Sequence, residues 1–418
     1  MGGSDGHDAV VAGASLAGCA AAILLAREGA QVALVERSPD PAAHRRACTH
    51  LIQSSAVPAI ARLGLLEPMT ALGAAATSVH ISTPWGVVPQ PVRDGEPVFG
   101  RALSLRRERL DPLIRGIAAE TPGVELIGGL TVTSLIEESG RAAGLVAAGP
   151  DGAERRIPAR LVVGADGRDS AVARLAGIET RSRENRRFCY FAHWEGIEGE
   201  SRDSSSIRIG PGLEVAYSFP TDSGLTVLAA FPMHDELPRF KRDPEGALVE
   251  MLAPLGPPFD PRGARRASPV TGRIDMPNLS RRPAGAGVAL VGDATLAADP
   301  TAGVGCGWAL QSAEWLAEEA GAAVRGDEPL DPALGRYART HRARLAGHAD
   351  LIARGSLGNQ PSTSERLVYG AAARDPGVAE RLHGYASRNL PPRVLYSPAT
   401  LARTAVALLG RRRRASGG

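Results

Sequence analysis

The stretch VVAGASLAGCAA, from Val10 to Ala21, constrains the fold of this chain more than any other. A short apolar run (8–12) leads into Gly13, an Ala- and Leu-rich segment (15–29) closes at Gly29, and a second apolar run (31–36) closes at Glu36. Runs of that length, apolar in all but their end positions, suit strands buried on both faces. Strand, glycine turn, helix and strand in close succession make a βαβ unit with a right-handed crossover. The dinucleotide fingerprint at such a turn is G-x-G-x-x-G. Gly13 and Gly18 fill its outer positions, with Ser15, Leu16 and Ala17 between them, so serine stands where the middle glycine belongs. Serine keeps its amide, adds a small donor and still lets a phosphate approach. Glu36, followed by Arg37, ends the second strand, where an acid holds the ribose hydroxyls of such a ligand. Taken alone, the glycine pair reads equally well as a close-packed turn with no ligand.

Composition narrows the class. The chain has 418 residues, 44% hydrophobic and 22% charged, enough for two or three domains. A formal net charge of +3 gives no field strong enough to imply nucleic acid or a membrane surface. Lys241 is the single lysine among 48 basic residues, so no mechanism that needs a lysine has another to use. Cys19, Cys48, Cys189 and Cys306 are scattered, and the histidines form no H-E-x-x-H, which argues against a structural metal or a disulfide framework. The expectation is therefore no metal and a cytoplasmic location. The uncharged run Val10 to Ala26 reads as fold rather than a targeting or integral membrane segment.

Strand-like patterns follow from 124, with Asp151-Gly152 as a hairpin turn, and a buried strand returns at 160–167. Residues 186–233 alternate in strand fashion, one more buried strand falls at 287–294, and a long helix at 307–324. The expected fold is α/β: a discontinuous Rossmann-like domain with a parallel sheet (1–75, 101–180 and 280–328), an inserted, mostly antiparallel substrate sheet (76–100 and 181–279), and a C-terminal helical region (329–418).

Two later segments distinguish among dinucleotides. Asp166-Gly167 in GADGRDSAVARL and Gly292-Asp293 in VALVGDATLAADPTAGVGCG, the latter followed by Pro300, Gly303 and Gly305, stand in order after the fingerprint. With SLRRERLDPLI (104–114), these motifs resemble the FAD-dependent monooxygenases of the p-hydroxybenzoate hydroxylase fold, and the resemblance covers about residues 8–325. It implies FAD as cofactor. Arg107 would lie near the pyrophosphate, and Asp166 beneath it would steady Arg107. Asp293 would accept from the ribityl chain, and Arg46 would face the flavin. The amides of the loop 300–306, with Cys306 nearest, would meet the flavin edge that becomes negative, as a helix N-terminus can. Gly307 and Ser312 depart from the hydroxylase pattern. ALQSAE (309–314), RRACT (45–49) and VAYSFP (215–220) lean toward the branch of geranylgeranyl reductases and flavin halogenases.

The implied activity is an NAD(P)H- and FAD-dependent monooxygenase that hydroxylates or epoxidises a small organic substrate with dioxygen, in secondary metabolism by association with a GC-rich coding sequence. No catalytic side chain is singled out, and oligomeric state is left open. One alternative is a flavin-dependent reductase of isoprenoid-type double bonds. Another is a non-catalytic prenyl- or lipid-binding protein on the same fold. The halogenase reading is disfavoured, since neither the early lysine nor the W-x-W-x-I-P motif of those enzymes is present. Cys48, His50, His193 and Trp194 read as packing residues as readily as site residues, and the Arg run 411–414 as a solvated tail or a contact for an anionic surface.

Overall fold

The computed structural model describes residues 6–358 and 361–415, and side chains as far as 409. The side chains of the 411–414 Arg run thus lie outside the described residues.

The opening βαβ unit forms as its sequence dictates. Strand β1 (His7–Ala12) pairs in parallel with β2 (Val32–Glu36), and helix α1 (Leu16–Arg27) crosses between them. Every residue of α1 from Leu16 to Ala26 is buried. A helix apolar all round belongs inside a core, and its alanines, cysteine and glycine let neighbours approach closely. Gly18 shows how closely: a Cβ there would stand 1.8 Å from the carbonyl oxygen of Gly13. Gly13 has φ +102°, and a Cβ on it would meet the Ala165 oxygen at 2.7 Å. Both glycines are therefore required by the turn itself, whatever it binds.

The parallel sheet grows on both sides of β1. Val124–Gly128 joins β2, while the end of Glu154–Gly164 lies between β1 and Val288–Leu290. The first half of Glu154–Gly164 turns outward into an antiparallel meander with Arg141–Ala148 and Thr131–Glu138. Asp151-Gly152 sits in the turn that joins 141–148 to 154–164, with Gly152 at φ +79°. The helix Gly305–Arg325 packs along α1 and buries Trp308, Leu310, Trp315 and Leu316.

A second, ten-stranded sheet has its centre in Cys189–Glu195, Thr226–Phe231, Val215–Pro220, Ser204–Ile209 and Ala75–Thr83. All its pairings are antiparallel except Ser204–Ile209 with Ala75–Thr83. Its edge recruits Ala102–Ser104 and Leu51–Ile52, which lie in segments expected to belong to the parallel-sheet domain. Strands of two or three residues carry no periodicity to reveal which sheet they join. Helix Leu330–Gly355 then packs along Gly305–Arg325, while Thr363–Ala372 and Pro376–Ala386 pack against Ile81 and Val88 of this second sheet. Among the described residues no helix is long and apolar enough to cross a membrane.

Candidate active site

A cleft of about 1220 Å3 runs between the two sheets, and the sequence motifs converge on it. Ser15, Leu16 and Ala17 line it from the start of α1; Arg107, Gly167 and Asp293 line it from three other segments. Pro300, Gly303, Gly305 and Cys306 close it from the far side. Gly13, Gly18, Glu36, Arg37, Arg46 and Asp166 do not line it. Gly13 and Gly18 shape the turn behind it. Glu36 accepts hydrogen bonds from the amides of Ala14 (2.8 Å) and Ser38 (3.0 Å), which fixes the turn to β2 and leaves further lone pairs of its carboxylate. Arg37 and Arg46 are exposed, and the neighbour Arg45 lines the cleft instead, with Nη2 3.2 Å from the Asp293 carboxylate.

Arg107 is held differently from the sequence expectation. Its steadying carboxylate is Asp111, one helical turn on, with Nε–Oδ1 at 2.6 Å and Nη2–Oδ2 at 3.0 Å. The same guanidinium donates to Ser15 Oγ at 2.7 Å. Asp166 instead caps the short helix Ala171–Leu175, accepting from Ser170 Oγ and the Val172 amide at 2.5 and 3.0 Å. An Asp-Gly turn before a helix offers its carboxylate to the nearest free amides first. Asp111 was legible: it stands at i+4 from Arg107 in RERLD, where a helix sets side chains face to face.

Two helix N-termini open on this cleft. Neither α1 nor Gly305–Arg325 has a side-chain cap, so first-turn amides remain for a ligand. Arg45, Arg107, Arg168 and Arg273 line the same cleft against one carboxylate, that of Asp293. Burial, and then the neighbouring charge of Arg273, lowers the pKa of Arg168. At Gly167 and Gly305 an added Cβ would meet nothing within 4 Å, so the backbone itself faces open space. A cradle of free amides, bare backbone and crowded cations fits a dinucleotide bearing two phosphates.

The wall beside Arg107 carries sulfur. Cys48 Sγ lies 3.8 Å from Cys306 Sγ, and Arg107 Nη1 approaches Cys306 Sγ at 3.7 Å. The Cys306 thiol, by donating to Cys48, holds Cys48 well below its ordinary range, with His50 adding to the effect. Behind Cys48, His50 adopts φ +67°. It accepts the Arg107 amide at Nδ1 (3.2 Å) and meets His193 through the Nε2 atoms at 3.0 Å. Burial, and then His50, lowers the His193 pKa to about 4. Trp194 is buried in the second sheet and does not reach the cleft.

The loop that closes the cleft is held by residues the sequence did not single out. Asp299, fully buried, accepts the Thr301 amide at 2.8 Å and pairs with Arg187 Nη1 at 2.9 Å. Tyr217 donates its hydroxyl to the Thr301 carbonyl. Gln53 Nε2 and Arg388 Nη2 both donate to the Ala302 carbonyl, at 2.6 and 3.3 Å. These residues lie far apart along the chain, and no local pattern marks them.

A family model described as "FAD binding domain" matches residues 7–244, more than half the chain. The chain belongs to the FAD-binding domain family. It has the p-hydroxybenzoate hydroxylase fold, and FAD is the dinucleotide its cleft fits. Curated relatives of this flavoprotein include digeranylgeranylglycerophospholipid reductase 2 of Methanothermobacter thermautotrophicus, 27% identical over 344 residues (81% of this chain, 84% of that one). Kynurenine 3-monooxygenase of Salinispora arenicola is 30% identical over 241 residues (54% and 52%). A probable electron transfer flavoprotein-quinone oxidoreductase of Escherichia coli is 33% identical over 178 residues, 42% of this chain and 40% of that one. The last two alignments thus span only about half or less of those proteins' length. Among solved structures, a flavin-dependent brominase superposes with TM-score 0.78 at 19% identity, covering 97% of this chain and 99% of that one. The p-nitrophenol 4-monooxygenase of Pseudomonas putida gives 0.72 at 18% identity, covering 91% and 97%. At these identities the structures report a shared fold.

The serine in the fingerprint lines the cleft and accepts from Arg107, and two substitutions test what it does there. Ser15→Gly removes one charge-assisted acceptor from Arg107 and keeps the turn open, so FAD affinity is expected to fall by at most about 1.5–3 kcal/mol. Ser15→Leu places a branched side chain where the first-turn amides face the cleft, and FAD is expected to be lost on purification. Flavin content per chain after identical purification distinguishes the two; a leucine variant as yellow as the parent would mean that no phosphate lies against Ser15.

Proposed function

We propose that this flavoprotein is a monooxygenase that uses NAD(P)H and dioxygen to place one oxygen on a small, largely apolar organic substrate. The observation that carries this reading is the junction of two cavities. Leu51 and Gly303 line both the FAD cleft and an adjoining, mainly apolar cavity of about 1620 Å3 between the second sheet and the C-terminal helices. A substrate in the second cavity would thereby meet a cofactor in the first. Kynurenine 3-monooxygenase among the relatives supports the same class.

In this reading Ser15, Arg107 and the first-turn amides of α1 hold the pyrophosphate, Glu36 the ribose and Asp293 the ribityl chain. Bound FAD supplies the redox chemistry, accepting two electrons from NAD(P)H for delivery to dioxygen. The uncapped N-terminus of Gly305–Arg325 favours negative charge on the cofactor edge that faces it. The apolar cavity walls exclude water, and no nucleophilic side chain is required. Lys241 lies exposed on the helix Leu237–Arg242 and lines neither cavity, which disfavours a lysine-dependent halogenation.

A second reading, reduction of isoprenoid-type double bonds, draws on the relative that spans most of the chain. Oxygen accounting separates the two. The expected result is NAD(P)H oxidation stimulated by substrate, one dioxygen consumed per NAD(P)H, and one labelled oxygen in the product under labelled dioxygen. A product that gains two hydrogens while no dioxygen is consumed would replace the monooxygenase reading with the reductase. A protein purified without flavin that takes up none on reconstitution would favour a non-catalytic binder.

A further inference from the structure

The apolar cavity carries information about its occupant. Val79, Ile81 and Ile207 line it from the sheet, and Ile352, Val368 and Leu382 from the C-terminal helices. Against these walls stand polar atoms that are buried and without a hydrogen-bond partner: Arg187 Nε, Arg388 Nε, Gln90 Oε1 and His383 Nε2. A buried polar atom left unpaired costs about 1–3 kcal/mol, so four on one cavity point to a ligand that satisfies some of them.

Arg388 is the informative one. Its Nη1 donates to the Tyr385 carbonyl at 3.1 Å and to His348 Nδ1 at 3.3 Å, and its Nη2 to the Ala302 carbonyl. All three acceptors are neutral, and among the described residues no carboxylate pairs with this guanidinium. His348 stays uncharged because burial, and then Arg388 itself, pushes its pKa down to about 3. The other arginine of the cavity, Arg187, has its counter-ion in Asp299. Glu365 also lines the cavity, but its carboxylate is committed to Ser362 at the helix start. Arg388 thus stands in the cavity with no carboxylate bonded to it, tied to the Ala302 end of the loop that closes the FAD cleft.

We infer that the cavity takes an elongated apolar molecule carrying one anionic oxygen, as a carboxylate or an ionised phenol or enol, and that Arg388 binds this oxygen through its free Nε edge. The inference rests on the cavity being the substrate site proposed above and names the substrate's chemistry. The anionic end lies beside the cofactor loop, and the apolar body extends between the sheet and the helices. Neutral molecules of the same shape leave Arg388 unpaired and bind more weakly.

The test uses the purified, FAD-loaded full chain with neither NAD(P)H nor turnover. Parinaric acid, a long fluorescent carboxylic acid, is titrated against its methyl ester. An alkylated 2-nitrophenol, ionised in mildly alkaline buffer, is the phenolate arm and competes with the acid. The parent is expected to bind acid at least about tenfold more tightly than ester, as a desolvated charge pair requires. Displacement by the nitrophenolate shows that the site takes phenolates as well; failure to displace restricts it to carboxylates and overturns the phenol and enol part of the inference. Arg388→Met is expected to erase the acid preference and leave ester binding within about threefold, and Arg388→Lys to restore part of it. Flavin content checks that each variant is folded. If Arg388→Met does not fold, the parent's acid-to-ester ratio remains decisive. Val79→Trp, which fills the cavity, is expected to block both probes. An ester bound as tightly as the acid, a preference that survives Arg388→Met, or probes still bound by Val79→Trp would each overturn the inference. Acid preference without any dioxygen consumption in the turnover assay would overturn the monooxygenase reading alone.

Discussion

Asp299→Asn and Arg187→Met are each expected to lower the unfolding free energy by about 3–5 kcal/mol, the usual cost of breaking a buried ion pair from one side. The Asp299 and Arg187 side chains are 0% and 4% exposed, so water does not readily replace the lost partner. The pair also sits in a network. Asp299 accepts the Thr301 amide and donates its own amide to Asn278 Oδ1 at 2.8 Å, while Arg187 Nη2 donates to the Leu213 carbonyl at 2.7 Å. Asp299→Asn keeps the shape and removes the charge, which leaves the Arg187 guanidinium uncompensated. The double variant removes both charges and is expected to be less destabilised than the sum of the singles. Urea unfolding of the four proteins, all saturated with FAD so that ligand linkage is constant, measures the cycle. Single variants that cost under about 1 kcal/mol would show that the pair is hydrated, and that the 300–303 loop is held by Tyr217 and Gln53 instead.

That loop also marks the limit of what the sequence discloses. The βαβ unit was legible because its signals are local: two apolar runs, a glycine at φ +102° and a helix of small residues all fall between His7 and Glu36. Asp293 and the helix after Gly305 were legible for the same reason. Ser312, which departs from the hydroxylase pattern, accepts the Gly292 amide at 2.8 Å and so secures the Gly-Asp turn from the facing helix. Arg46 was named where Arg45 lines the cleft, because in an irregular segment nothing local says which of two adjacent arginines turns inward. Arg187, Tyr217 and Arg388 escaped notice because only the tertiary fold brings the second sheet and the C-terminal helices onto one loop. Arg115 is a similar case. Its guanidinium bonds the carbonyls of Ala14, Pro41 and Ala43 and so joins the fingerprint turn to the segment before Arg45.

Acidification is expected to destabilise the folded chain well before its carboxylates titrate. Burial pushes the pKa of His341 and His383 down to about 4 and that of His348 to about 3, from an ordinary 6.5. A histidine whose folded pKa lies below its unfolded value binds its proton more readily in the unfolded chain. Its contribution to stability is therefore full above about pH 6.5, declines as pH falls through the window from 6.5 to about 4, and is gone below the folded value. Within that window each buried histidine removes up to about 1.4 kcal/mol per pH unit. Carboxylates act later: Arg106 holds Asp222, despite its burial, at about 2, so its share is lost only below its ordinary 3.8. Thermal unfolding of the FAD-saturated protein is expected to give a nearly constant Tm from pH 8 to about 7 and a steep fall toward pH 5. His341→Phe isolates one contributor. His341 is 5% exposed, packs edge-on against Trp315 and Tyr337, and lines neither the FAD cleft nor the adjoining apolar cavity. A phenyl ring can take its place without a titrating group, so the fall in Tm below pH 6.5 should be shallower in the variant. Parent and variant curves that run parallel from pH 7 to pH 5 would show that His341 takes up its proton as readily in the folded chain as in the unfolded one.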